Sequence, residues 1–430
     1  MPTTLPPDHA QRRALADEVH ARPPEPLATP ARISHLALMI DAGDRELEQQ
    51  RLQSLCQAFG VAPPPPAGHW SLSLGALRLK WERHGEFSGF TFIAEDGVDG
   101  GFAGGALDRL PPGWLASLPG RTIMAAHALL LSGAGREADA EQLSGWFGPG
   151  ATVVGSRVAD GAGRAFTDFR LQPDGYLRVV LLDDGFTRRQ AGRVLQRIFE
   201  IEVYRLLALL ALPIAQTLAP RALQIESALA GLTAGIARDD GRDESLLQEL
   251  TRLAAEVEQG LSQSQFRFGA CRAYSQLVAT RIAELREARL PGLQTVDEFM
   301  ARRFSPALAT CTSVSQRLHD LSERVSQASS LLATRVGIAR ERQNQALLAS
   351  MDRRARQQLR LQQTVEGLSV AAIAYYAVGL VGYVAKALKA GGLPIDSDIA
   401  GGLAVPVLAG LAWAAVRRAR AHAHDDADKI

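Results

Sequence analysis

The stretch LSVAAIAYYAVGLVGYVAKAL, residues 368–388, decides how the rest of the chain is read. It carries one charge, Lys386, close to its end, where a long side chain can reach the interface. As an α-helix it extends about 30 Å, the thickness of the hydrocarbon core of a bilayer. A second apolar run, IAGGLAVPVLAGLAWAAV at 399–416, is shorter and richer in glycine. Lipid tolerates its Pro406 and glycines when a neighbouring helix packs closely. Two such runs separated by LPIDSD predict a two-helix C-terminal transmembrane hairpin over 368–416; two buried core helices are the competing reading.

Flanking charge orients the hairpin. Residues 335–360 hold seven arginines against Glu341 and Asp352, a net of +5, with Arg353, Arg354, Arg356 and Arg360 nearest the first run. Arg417, Arg418 and Arg420 follow the second run, whereas the connecting loop sets Lys386 and Lys389 against Asp396 and Asp398. Positive charge is retained on the cytoplasmic side, so both termini are expected there, with the hairpin in the cytoplasmic membrane and residues 417–430 as a cytoplasmic tail. The same arginines are suited to anionic lipid headgroups.

Upstream, Cys311, Val314, Leu318, Leu321, Val325, Ala328 and Leu332 step by three and four, the seam of a coiled coil or long helical hairpin. Val336 comes one place late, a stutter that relaxes supercoiling. The pattern resumes at Leu361, Val365, Leu368, Ala372, Tyr375, Gly379 and Gly382, crossing the membrane boundary without a break. No proline interrupts 307–388, so one helix is expected to run from cytoplasm into bilayer. Along the stripe large residues give way to small ones, as expected of lipid-buried helices that meet by close backbone approach. Self-association is therefore expected, the alternative being a monomer whose stripe packs on its own second span and neighbouring helix. Glu366, just before the apolar run, is a candidate pore-mouth residue if the stripe is an oligomer axis.

From Thr187 onward the pattern is almost wholly helical, with breaks at ARDDGRDES (237–245) and ARLPGLQTVDEF (288–299). The apolar block in FEIEVYRLLALLALPIA (199–215) is cut by Arg205 and Pro213 and is too short to span a bilayer. Residues 33–182 alternate instead. ISHLALMI (33–40) reads as a buried strand and GDRELEQQRLQSLCQAFG (43–60) as a helix stopped by glycine. WSLSLGALRLKWERH and FSGFTFIAE suggest a hairpin around residues 85–88, and ATVVGSRVAD, AFTDFRLQ and YLRVVLLDD three further strands. The expected class is an α+β cytoplasmic domain (33–185) with a mixed or antiparallel sheet, behind an N-terminal extended arm (1–32) and ahead of a helical, coiled-coil-like stalk (186–367). In the arm, His20 and Arg22 of HARP precede Pro23, Pro24 and Pro26, a candidate docking or capping segment.

The net charge is +1, from 47 Lys+Arg and 46 Asp+Glu, which lacks the basic excess of a general nucleic-acid binder. Cys56, Cys271 and Cys311 are odd in number and widely spaced, which predicts neither a disulfide nor a metal site and fits a reducing compartment. No apolar run follows the basic residues of the N-terminus, so no cleaved signal is expected. Glu82, His84 and Glu86 of WERHGE alternate and would share one strand face, as two carboxylates around an imidazole need for metal binding or proton transfer; an ion-paired sheet face has the same spacing. If the strand turns at Gly85, Glu86 leaves the set. No P-loop, GxSxG, HExxH or GxGxxG signature is present, and GGFAGGALD (100–108) lacks the lysine and helix of a phosphate cradle. No enzyme activity, cofactor or metal is expected; the expected partners are the bilayer, further copies of the chain and an unidentified cytoplasmic protein.

The segments LADEVHARP (15–23), RISHLAL (32–38), LKWERHGEFSGFTF (79–92), EVYRLLALLALPIA (202–215) and residues 334–383 resemble an uncharacterised bacterial family of predicted membrane-anchored proteins, domain of unknown function DUF 3422. That resemblance implies membrane anchoring and no reaction. In architecture alone the chain is also similar to CorA-type magnesium channels, which implies a divalent-cation channel or transporter as an alternative. Their diagnostic Gly-Met-Asn is absent; the chain reads GYVAKALKAGGLP in that region.

Overall fold

The computed structural model describes residues 6–18, 23–64, 68–95, 101, 102, 105–238, 242–392 and 396–427. His20 and Arg22 lie outside the described residues, as do residues 65–67 and 96–99, residues 100, 103 and 104 of the glycine-rich stretch, and 393–395 of the loop between the apolar runs. The chain divides into two compact units, residues 1–330 and 331–430.

Unit one begins with a short helix, α1 (Arg12–Glu18), and then builds on β1 (Ala31–Met39). Helix α2 (Arg45–Ala58) leads to β2 (His69–Leu74), β3 (Leu77–Arg83) and β4 (Phe87–Ala94). The long β5 (Arg121–Ser132) and α3 (Ala140–Phe147) precede β6 (Val154–Val158), β7 (Gly163–Thr167) and β8 (Leu177–Asp183). Then come α4 (Arg188–Leu209), α5 (Ala211–Arg238), α6 (Asp243–Leu285), the two-residue β9 (Ala288–Arg289), α7 (Val296–Arg303) and the start of α8 (Ser305–Ala390). Thr187 caps α4 with a full capping box, its side chain accepting from Gln190 N and Gln190 returning to Thr187 N, which is why helix begins there.

The strands form one nine-stranded sheet, ordered β2-β3-β4-β1-β5-β8-β7-β6-β9. All neighbours are antiparallel except β5 and β8, so the sheet is mixed. An α+β domain is thus present, as expected. Period-two alternation sends Leu79, Trp81, Phe90 and Phe92 into one core with Leu52 and Leu55 of α2, while Lys80, Glu82, Thr91 and Ile93 face α4. Each of those fully buried apolar side chains contributes about 1.5–3 kcal/mol, so this cluster is a main source of the fold's stability. Buried Glu48 of α2 accepts from Trp81 Nε1 (2.8 Å) and Arg45 (3.2 Å), tying the helix to the sheet.

The sequence reading divided the first sheet segment differently. WSLSLGALRLKWERH is two strands, β2 and β3, turned at Gly75, whose φ is +64°. The middle strand β5 was not foreseen. Its stretch MAAHALLL (124–131) is buried on both faces apart from half-buried His127, and such a run of Ala and Leu shows neither polar–apolar alternation nor a β-branched residue.

Behind α4, helices α5, α6 and the first part of α8 pack together. Gly260 of α6 lies against Leu218 of α5 and Leu318 of α8, each 3.7 Å from where a Cβ would stand. The expected seam is the buried face of α8: Cys311, Val314, Leu318, Leu321 and Val325 are all under 7% exposed.

Unit two holds the remainder of α8, which is 86 residues long without a break, and α9 (Ser397–Ala427) with Pro406 inside. Among the described residues α8 is the one helix long and apolar enough to cross a membrane. The second apolar run is helical, but it does not meet that measure, and the two runs are not shown to form a transmembrane hairpin.

Candidate functional site: a polar cavity beneath α4

Gly192, Leu195, Gln196, Phe199, Glu200, Val203 and Tyr204 recur at helical spacing, forming the α4 face that looks onto the sheet. Between that face and β1, β3 and β4 is a cavity of about 50 Å³, lined on the sheet side by His35, Lys80, Glu82, His84 and Thr91. Residues 24–28 close one end as a strap. Leu27 N donates to Arg188 O (3.0 Å), Arg78 holds Pro26 O (2.7 Å) and Glu25 (3.5 Å), and Ala28 N donates to Glu95 (3.0 Å). The strap crosses α4 at Gly192, where a Cβ would overlap the Glu25 carbonyl oxygen.

Charge in the cavity is paired. Lys80 Nζ lies 2.9 Å from Glu82 and donates to Gln196 Oε1 at 3.2 Å, both ions being over 90% buried. Gln196 donates to Glu200 (2.8 Å), and Glu200 pairs with Arg281 of α6. Arg281 and Arg197 share Glu284 (3.1 and 2.8 Å). Burial pulls the Glu284 carboxyl up, but the Arg197 and Arg281 guanidiniums outweigh it and hold the pKa below the ordinary value.

His35 is stacked on Phe199 (4.8 Å), with Nδ1 2.8 Å from Thr91 Oγ1. Burial, then the nearby Lys80 and His84, push its pKa down to about 3, so the imidazole is neutral at physiological pH. Its second ring nitrogen has no hydrogen-bond partner among the described residues. The cavity can therefore offer a neutral imidazole and an amide to a small polar guest against an apolar wall of Leu195, Phe199 and Val203. His35 itself supplies no imidazolium acid near neutral pH.

The WERHGE residues separate as the Gly85 turn requires. Glu82 and His84 line the cavity, His84 stacked on Phe87 at 4.2 Å. Glu86 lies past the turn and bonds Arg267 and Tyr274 (3.0 Å) of α6. Burial and then Glu86 raise the Tyr274 pKa. No group of three His, Cys, Asp or Glu side chains suited to a metal ion occurs among the described residues. Sequence reasoning missed His35, Lys80, Gln196 and Glu200; the helical spacing 192, 195, 196, 199, 200, 203 was the available signal for the α4 partners.

A family model matches residues 7–423. The chain belongs to the family of proteins of unknown function DUF3422. No curated protein and no solved structure matches it, so the likeness to CorA-type channels finds no support.

In this DUF3422 chain the stripe residues of α8 are outward-facing. Leu361, Val365, Leu368 and Tyr375 are 57–78% exposed, Ala372 and Gly379 are exposed, and Gly382 is half-buried. The partly covered face of unit two is a different one, running through Glu366, Val370, Ala374, Ala377, Val378 and Val381 to buried Ala385. Glu366 accepts from Gln362 (3.3 Å). Arg353, Arg354, Arg356 and Arg360 are exposed, with Arg356 2.6 Å from Asp352; Arg417 lies over Trp413 (5.1 Å) and Arg418 is exposed. The Arg420 side chain lies outside the described residues.

Proposed function

We propose that this chain is a membrane-anchored protein of the bacterial cytoplasmic membrane, without a reaction of its own. Its α+β unit senses a small ligand or binds a cytoplasmic partner. The 368–388 segment of α8 and the 399–416 segment of α9 cross the bilayer, and both termini lie in the cytoplasm. Copies associate along the stripe from Leu361 to Gly382.

One observation carries the reading: the most apolar window of α8 has a mean hydropathy of 1.8 and is 6% buried. Leu368, Ile373, Tyr375, Tyr376, Leu380 and Tyr383 are 58–78% exposed. In water such a surface costs about 25 cal/mol for each Å² of apolar area left wet, whereas lipid removes the cost. The arginines at 353–360 and at 417 and 418 sit where the positive-inside tendency places them for this orientation. The stripe's exposure in a single chain leaves it available to a second copy.

The test is fractionation of the full-length chain expressed in bacteria. It should remain in the membrane pellet after an alkaline carbonate wash, and the double variant Ile373→Arg, Leu380→Arg should be released. Release of the unmodified chain by carbonate would end the anchoring reading.

A further inference from the structure

A second cleft in unit one, of about 330 Å³, opens where the turn after β7, the C-terminal end of α4 and helix α7 meet. It is several times larger than the cavity beneath α4 and falls within the range of small-molecule sites. Its apolar wall is built from rings. Phe169 stacks on Phe299 with centroids 4.7 Å apart, and Met300 and Phe304 lie behind them, 3% and 5% exposed.

Three guanidiniums line the same cleft, and they are not equivalent. Arg205 forks onto Glu202 at 2.7 and 3.0 Å and lies 5.8 Å from the Phe169 ring, so its charge is matched. The side chains of Arg170 and Arg303 have no hydrogen bond or ion pair among the described residues. Asp168, the one carboxylate on the wall, is 3% exposed and already accepts from Arg170 N (3.2 Å) and Gln172 Nε2 (2.8 Å). In the cavity beneath α4, by contrast, Lys80, Glu25 and Glu200 each have a partner of opposite charge. The cleft is thus apolar on one side and carries two unmatched planar forks on the other.

We propose that this cleft binds a phosphate monoester carried on an apolar or aromatic body. The phosphoryl group is held by Arg170 and Arg303, with the Thr152 hydroxyl as a further donor on the wall. The body lies on Phe299, Met300 and Phe304. A carboxylate has two oxygens, which a single guanidinium fork satisfies; a phosphoryl dianion has enough oxygens and charge for two forks. The apolar wall then adds affinity that free phosphate cannot gain. Such a ligand is either a soluble aromatic or acyl phosphate or the headgroup region of a lipid, and the chemistry of recognition is shared.

The test is calorimetric titration of the full-length chain in an uncharged detergent with three probes: inorganic phosphate, phenyl phosphate and dihexanoyl phosphatidic acid. At least one of the two esters should bind about tenfold tighter than inorganic phosphate. Arg170→Gln and Arg303→Gln should each weaken that ester about tenfold, with the melting temperature unchanged because both side chains are exposed. Tighter phenyl phosphate assigns a soluble ligand, and tighter phosphatidic acid a lipid. Three outcomes overturn the site: no binding of either ester at millimolar concentration, equal binding of inorganic phosphate, or unchanged binding by both variants.

Discussion

His35 Nδ1 lies 2.8 Å from Thr91 Oγ1, and the two residues stand directly opposite one another on β1 and β4. The preceding residue, Ser34, makes the mirror-image bond to His127, its opposite on β5, also at 2.8 Å. Consecutive residues of one strand therefore tie it to both neighbours, on opposite faces of the sheet. Burial lowers the pKa of both imidazoles, that of His35 to about 3.

This arrangement gives stability a pH dependence of known sign. The unfolded chain protonates such a ring below about pH 6.5, and the folded chain holds His35 neutral until the pH approaches its depressed value. The stability linked to His35 is fully present above pH 6.5 and is lost as the pH falls toward 3, at up to about 1.4 kcal/mol per pH unit. The melting temperature should fall between pH 6.5 and 4.5. His35→Gln should show a shallower fall, keeping only the part due to His127 and other groups. An unchanged slope in that variant would contradict the assignment.

The Lys80–Glu82 pair is nearly fully buried, with side chains 6% and 9% exposed. Removing one partner strands the other charge away from water, so Lys80→Met should cost about 3 kcal/mol in denaturant titrations. Replacing both, Lys80→Met with Glu82→Leu, should recover most of that loss, because a buried ion pair repays its own desolvation poorly. A double variant as unstable as the single one would show that the pair holds the cavity through more than charge.

Two glycine-to-alanine changes should act in opposite directions. Gly192→Ala places a methyl group against the Glu25 carbonyl oxygen, forcing the 24–28 strap off α4 at a cost of about 1–3 kcal/mol. Limited proteolysis should then cut the strap sooner. Gly231→Ala lies within α5, exposed and with nothing near its added carbon, and should stabilise by up to about 1 kcal/mol through helix propensity. Equal effects of the two changes would remove the argument for a tight crossing at Gly192.

How far the sequence could be read depended on whether the deciding contact was local. Thr187 announced α4 through its own capping box, and Gly85 separated Glu86 from Glu82 within a few residues. The shared side of Glu82 and His84 likewise followed from strand period alone. The cavity was not legible, because Lys80 meets Gln196 across 116 positions and His35 meets Thr91 across 56. Strand β5 was hidden for a related reason: its Ala- and Leu-rich run gains strand identity only from β1 and β8 on either side. The same holds for Cys271 and Cys311. Far apart in sequence, they meet as neighbouring thiols between α6 and α8, both reduced.

Those cysteines make the self-association of α8 directly testable. Cys56, Cys271 and Cys311 are 1–4% exposed, and burial raises all three thiol pKa values, Cys311 to about 12 with the neighbouring Cys271 adding to the effect. Thiolate is the reactive form, so the native cysteines should stay silent toward a bismaleimide at pH 7. A single cysteine introduced at Ala372 or Gly379 lies on the exposed stripe and should give a covalent dimer in membranes. One at Val370, on the half-covered face, should give much less. Small residues at 372 and 379 allow two helices to approach closely enough for a short cross-linker. Dimer from both stripe positions and little from 370 would fix the stripe as the contact between copies. If 370 cross-links as readily as 372 and 379, the contact is not oriented, and if neither stripe position yields a dimer, the chain does not associate along α8.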